Sequence, residues 1–181
     1  MYYQVGIKLI LNYALLGFLI KKIDKFLKTK APEKPLWDII HSITPEDWSK
    51  YHLLPDYFVI ANTLLFLPEL VDFDLGMINY VGNVYLYLHW LVFIGSFLTA
   101  ISCPAKTEHL SCLSGHTIQT LLTTLIINQI SRSDGVIVLS WVCTVGTIIS
   151  AILTRNHYTI DIYSTIIIVY LSYQQYLNPI D

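Results

Sequence analysis

Between residues 54 and 176 the sequence runs through five apolar blocks, 54–71, 81–102, 114–130, 135–153 and 158–176, and little is left between them to make a water-soluble core. A block that crosses a bilayer needs roughly 20 mostly apolar residues, with a range of about 17 to 25. Its backbone must satisfy its own hydrogen bonds there, which rules out an open sheet and leaves the helix. The β-branched runs near 123–127 and 164–169 would suggest strands in water, but the solvent overrides that propensity. A further stretch, 5–20, is a marginal span interrupted by Lys8. The expectation is an all-α polytopic membrane protein, a bundle of six transmembrane helices. Charge is correspondingly scarce: 13% of residues, against roughly 25% in an average soluble domain. Eleven Lys and Arg against thirteen Asp and Glu give a net charge of −2, which provides no basic face for nucleic acid.

Residues 1–20 lack a basic segment before their apolar core, and no small-residue cleavage site follows. Lys21, Lys22, Lys25, Lys28 and Lys30 follow instead, as expected for an anchor helix that ends at the interface and continues as an amphipathic segment on the headgroups. Residues 1–53 are therefore read as an anchor and Lys-rich interfacial segment, with Trp37 and Trp48 as interfacial anchors. Residues 54–176 form the membrane domain, and 177–181 a short tail. Cys103 and Cys112 fall in one loop and can pair in an oxidising compartment, whereas Cys143 lies mid-span as a packing residue. His89 reads as a hydrogen-bonded packing residue, and Glu69, Asp72 and Asp74 as solvated groups on the opposite face.

Ionisable groups retained in or beside spans mark a functional site by default. With six helices the loops alternate sides, which brings three polar clusters to one surface. These are Leu54-Pro55-Asp56, Ser114-Gly115-His116-Thr117 and Arg155-Asn156-His157-Tyr158-Thr159-Ile160-Asp161. His157 and Asp161 are four apart, so on a helix they share a face. The carboxylate can accept Nδ1–H and leave Nε2 as nucleophile or base. His116 brings a second imidazole, suited to the leaving group's proton. Arg155 can make paired hydrogen bonds to phosphate oxygens, and the Ser114-Gly115 turn offers N–H groups to an anion. Two histidines and a carboxylate can also form a facial metal triad. The Ser-Gly turn and Arg155 fit a phosphate better than a cation, so neither metal nor other cofactor is expected. Tyr158 and other aromatics near this surface can hold a cationic group by cation–π contact. Asp56 either contacts headgroup or acceptor or caps the second helix.

Ser-Gly-His-Thr followed some forty residues later by Arg-x-His-Tyr-Thr-Ile-Asp resembles the sphingomyelin synthase and cholinephosphotransferase branch of the type 2 phosphatidic acid phosphatase superfamily. The resemblance covers residues 54–176. Leu54-Pro55-Asp56 is similar to the family's first motif, and Phe93-Ile94-Gly95 falls where the second would, without the arginines that normally precede it. The loop before Ser114 is shorter than in the sphingomyelin synthases. The Lys-x6-Arg-Pro motif of the phosphatases is absent, which argues against plain phosphate-monoester hydrolysis.

The resemblance implies a six-helix enzyme that moves a phospho-alcohol headgroup, such as phosphocholine, from a donor phospholipid to a lipid alcohol, ceramide or diacylglycerol. It implies His157 as nucleophile, Asp161 as its orienting partner, His116 as acid/base and Arg155 as phosphate contact. Alternatives are a lipid phosphatase or phospholipase C-type hydrolase using the same residues with water, and a non-enzymatic membrane protein. The family's active face is exoplasmic or lumenal. Seven of the eleven Lys and Arg lie in 21–53, and Lys106 and Arg155 join them, a distribution that favours a cytosolic face.

Overall fold

Bulky side chains point outward and hydroxyls point inward. In the helix Asp134–Leu153 the buried residues are Ser140, Cys143, Thr144, Thr147, Ser150 and Ala151, while Val138, Leu139, Trp141, Val142, Val145 and Ile149 are exposed. Water would favour the opposite arrangement. In lipid, where tails solvate Leu and Val as well as another helix does, small residues bring backbones close and buried hydroxyls bond across the interface. The same inversion recurs in the last long helix, which buries Asp161, Thr165 and Ser172 and exposes Ile160, Tyr163, Ile167, Tyr170 and Leu171.

The computed structural model describes residues 2–27, 38–44, 48–99, 101–102, 110–111 and 113–177. Among them are seven α-helices: α1 Tyr2–Leu27, α2 Ile39–Ile43, α3 Leu54–Phe66, α4 Leu75–Thr99, α5 Gly115–Ile130, α6 Asp134–Leu153 and α7 Thr159–Ser172. A π turn, Tyr173–Leu177, extends α7. One two-residue antiparallel pairing, Ile101–Ser102 with Leu110–Ser111, closes the base of the α4–α5 connection. Cys103, Cys112, Lys106, Trp37, Lys28 and Lys30 lie outside the described residues.

Each apolar block coincides with a helix, with shifted ends. α1 runs through Lys21, Lys22 and Lys25 as one continuous element. Pro68 cannot continue an α-helix, so α3 ends at Phe66 and the chain proceeds as a 3-10 turn, Pro68–Asp72. Asp74 accepts the N–H of Met77 at 2.7 Å and so starts α4 six residues before the apolar block. Glu69 is not simply solvated, because it accepts a hydrogen bond from Ser131 Oγ at 3.0 Å, tying the two loops of the opposite face together. His89 bonds the Tyr85 carbonyl at 2.8 Å, consistent with packing. Cys143 is buried.

Three helical stretches among the described residues, Ser49–Val71, Leu75–Gly95 and Asp134–Leu153, are long and apolar enough to cross a membrane, and Ile10–Leu19 is a shorter apolar one. α5 and α7, with 16 and 14 residues, fall short of that length as α-helices. α5 is the central helix and touches α3, α4, α6 and α7. Its core side, with Ile118, Leu122, Ile126 and Ile127, packs against Leu88 and Val169. Its other buried positions are Leu121 and the threonines Thr117, Thr120, Thr123 and Thr124. Asn62 of α3 donates to the Thr120 carbonyl at 2.9 Å and to Thr124 Oγ1 at 3.2 Å. Thr124 donates its single hydrogen to the Ser140 carbonyl at 3.0 Å. The Thr144 hydroxyl, 2.8 Å away, must therefore donate to Thr124.

α3 and α6 pack together where Phe58 lies over Gly146: a Cβ there would come within 2.6–2.8 Å of the ring. Gly146→Val should destabilise the protein by about 1–3 kcal/mol through overpacking, and adding Phe58→Ala should recover much of that loss. Unfolding in detergent micelles checks this: simply additive losses would show that the two positions do not meet.

Candidate active site

Three helix starts and one helix end meet at one end of the bundle. Pro55 opens α3 and places Asp56 in its first turn. Ser114 caps α5, placing His116 second in that helix. The short connection from α6 to α7 carries Arg155 and His157, and Asp161 is the third residue of α7. Asp56 Oδ1 accepts a hydrogen bond from His116 Nε2 at 2.8 Å. The rings of His116 and His157 stand edge to face, 6.5 Å between centroids. His157 Nδ1 lies 3.6 Å from Asp161 Oδ2. Two imidazoles, each beside its own carboxylate, thus face one another across a single gap.

The His157–Asp161 pair is not built on one helical face. Tyr158 is extended (φ −73°, ψ 155°) and forms the N-cap of α7, so His157 precedes the helix. Asp161 Oδ2 accepts the Tyr158 N–H at 3.0 Å, and the Asp161 N–H returns to the Tyr158 carbonyl at 3.1 Å. The carboxylate therefore caps its own helix while standing beside the imidazole, and 3.6 Å is longer than a hydrogen bond. The sequence spacing gave proximity but the wrong local geometry.

α6 ends in a paired turn. The Arg155 N–H donates to the Ile152 carbonyl at 3.0 Å and the Asn156 N–H to the Ala151 carbonyl at 3.1 Å. Such endings place the intervening residue in the left-handed region, normally as glycine. Here it is Arg155, with φ 57°. A non-glycine residue held this way costs about 1 kcal/mol or more.

Ser114 is fully buried, and its hydroxyl accepts from the N–H and hydroxyl of Thr117 at 3.2 and 3.0 Å. Its own N–H donates to Thr165 Oγ1 at 2.8 Å, and Thr165 donates to the Asp161 carbonyl at 2.6 Å. Ser114 therefore fastens the start of α5 to the first turns of α7, which fixes His116 relative to Asp161. Gly115 leaves open space where a side chain would begin. Tyr158 is buried, 2% exposed, with its ring near that of His41. Among the described residues no three His, Cys, Asp or Glu side chains converge as a metal site. The link missed in the sequence is Asp56 to His116: Leu-Pro-Asp reads as a helix start, and nothing in its spacing names a partner sixty residues away.

Two helical turns below this cluster, about 10 Å deeper along α3 and α5, lies a cavity of about 240 Å³ lined by Tyr13, Thr63, Phe66, Tyr85, Gln119 and Thr123.

No curated protein and no solved structure matches the chain. Residues 111–178, a segment that includes Ser114, Gly115, His116, Arg155, His157, Tyr158 and Asp161 but not Asp56, match the family model described as PAP2 superfamily C-terminal.

Proposed function

We propose that this chain is a lipid headgroup transferase, carrying a phospho-alcohol group such as phosphocholine from a donor phospholipid to ceramide or diacylglycerol. The observation that carries the reading is the pair of facing histidines, each beside a carboxylate, with rings 6.5 Å apart. One phosphoryl group between them can be reached by a nucleophile from one side and a proton donor from the other. The cavity below suits a stretch of acyl chain, which supports a lipid substrate.

In the first step His157 Nε2 attacks the donor's phosphorus, with Asp161 beside Nδ1 to stabilise the cation that develops. The bond from phosphorus to the diacylglycerol oxygen breaks, and His116 protonates that oxygen. In the second step His116 takes the proton from the acceptor's hydroxyl, which attacks the phosphohistidine. The phosphorus–nitrogen bond breaks and His157 is regenerated. Asp56 orients the His116 ring through its Nε2 hydrogen bond, and Arg155 and the N–H groups at Gly115 meet the phosphate's charge. We assign six membrane spans to the bundle, counting α1 and α3–α7, a catalytic domain to 54–176, and an exoplasmic or lumenal catalytic face.

Supplying purified protein with a fluorescent acceptor, with and without donor phospholipid, tests the reading. Labelled phospholipid that depends on donor supports transfer; headgroup release alone makes the chain a hydrolase; neither product removes the enzymatic reading.

His157→Ala, His116→Ala and Asp161→Asn should each lower turnover by roughly three to four orders of magnitude, with membrane insertion unchanged. A fully active His157→Ala protein would end the mechanism. Turnover should survive exhaustive chelation, because the charge of the phosphodiester is met by Arg155 and N–H groups. Loss with EDTA and recovery on adding Zn²⁺, Mn²⁺ or Fe²⁺ would turn the histidines into metal ligands. Arg155→Gly should separate stability from chemistry: thermal unfolding in detergent should show a gain of about 1 kcal/mol, while turnover falls at least tenfold.

A further inference from the structure

The turn that carries Arg155 and His157 is held from outside by a five-residue helix that the transfer chemistry does not use. Asp38, the N-cap of α2, accepts the N–H groups of Ile40 and His41 at 3.0 and 3.1 Å. It also accepts the backbone N–H and the hydroxyl of Thr159, the first residue of α7, at 2.6 and 2.8 Å. Three of these donors converge on Oδ1 and one on Oδ2, and the group is buried at 9% exposure. Burial pushes the Asp38 carboxyl up, but the hydrogen bonds from Thr159 and His41, with the neighbouring His41 ring, more than reverse it and hold it below its ordinary value.

His41 grips the other end of the same turn. Its Nε2 lies 3.1 Å from the Ile152 carbonyl, and a carbonyl only accepts, so Nε2 carries the hydrogen. That carbonyl also receives the Arg155 N–H, so His41 buttresses the turn that sets Arg155 in the left-handed region. A third tie comes from the same stretch of chain: Asn156 Nδ2 donates to the His52 carbonyl at 2.8 Å. Strained backbone persists only where its surroundings over-determine it. Here Asp38, His41 and His52 supply that excess of constraint.

We propose that Asp38 and His41 are positioning residues, and that α2 clamps the segment 152–159 so that Arg155 keeps its left-handed turn and His157 its place opposite His116. Calling the clamped segment catalytic rests on the transferase reading; the clamp itself does not. Asparagine cannot replace Asp38 silently, because its NH2 group must face donors whichever way the amide is turned.

The test uses the full chain in detergent, comparing Asp38→Asn, Thr159→Val and Thr159→Ser with the unmodified protein by turnover and by amide hydrogen exchange. Asp38→Asn and Thr159→Val should lower kcat roughly tenfold to a hundredfold with the donor's KM within about twofold. Thr159→Ser, which keeps the hydroxyl, should retain kcat. Amides at 155, 156 and 159 should exchange faster in the first two variants and not in the third, with α5 protection unchanged in all. Thr159→Val keeps the carboxylate and serves if Asp38→Asn fails to fold. Unchanged exchange at those amides would overturn the clamp, whatever happens to turnover. Faster exchange in a protein that shows no transfer even when unmodified would uphold the clamp and reject the transferase reading instead.

Discussion

Every buried hydroxyl in this bundle has to find its partner inside the protein, and the position of α5 follows from that requirement. The Thr120 and Thr123 hydroxyls donate to carbonyls of their own helix, whereas Thr124 donates across to the Ser140 carbonyl of α6. They turn inward, where Asn62 reaches the Thr120 carbonyl and Thr124, and Thr124 in turn reaches α6. The helix that carries His116 is therefore fixed in rotation by polar contacts all along its length. At its start, Ser114 bonds Thr165 of α7 and fixes its height. The gap between the two imidazoles is set by these bonds.

The architecture was legible because the bilayer constrains it so strongly. Length and hydropathy place five of the long helices, and alternation of loops brings Asp56, His116 and His157 to one end. Where the ends differ, a local cap decided: Asp74 starts α4 early, and Pro68 stops α3. The site was legible as a set of residues but not as a set of contacts. Spacing by four suggested a shared helical face for His157 and Asp161, yet Tyr158 takes the cap and puts the histidine outside the helix. Asp56 could be read as cap or contact, and only the fold brings it to His116.

Asp38 and His41 were invisible for a different reason. A five-residue helix has no periodicity to detect, and the stretch around it reads as interfacial because of its lysines, prolines and tryptophans. Dividing the chain at residue 53 on hydropathy separates Asp38 from Thr159, although their side chains bond directly. Hydropathy reports the medium in which a segment lies; it says nothing about which turn that segment steadies.

The crowding of α5 also bears on how the protein is made. Of its 16 residues only Asn128 is exposed, so this helix presents no apolar stripe to lipid. A segment leaving the insertion machinery is stabilised by its own apolar side chains, and in α5 these are diluted by His116, Gln119, Asn128, Gln129 and four threonines. α6, with a mean hydropathy of 2.4, is the segment best able to enter alone, and it follows after a connection of three residues, 131–133. With so short a connection, α5 and α6 pack against each other as a helical hairpin, and the Thr124–Thr144 hydroxyl contact sits inside it.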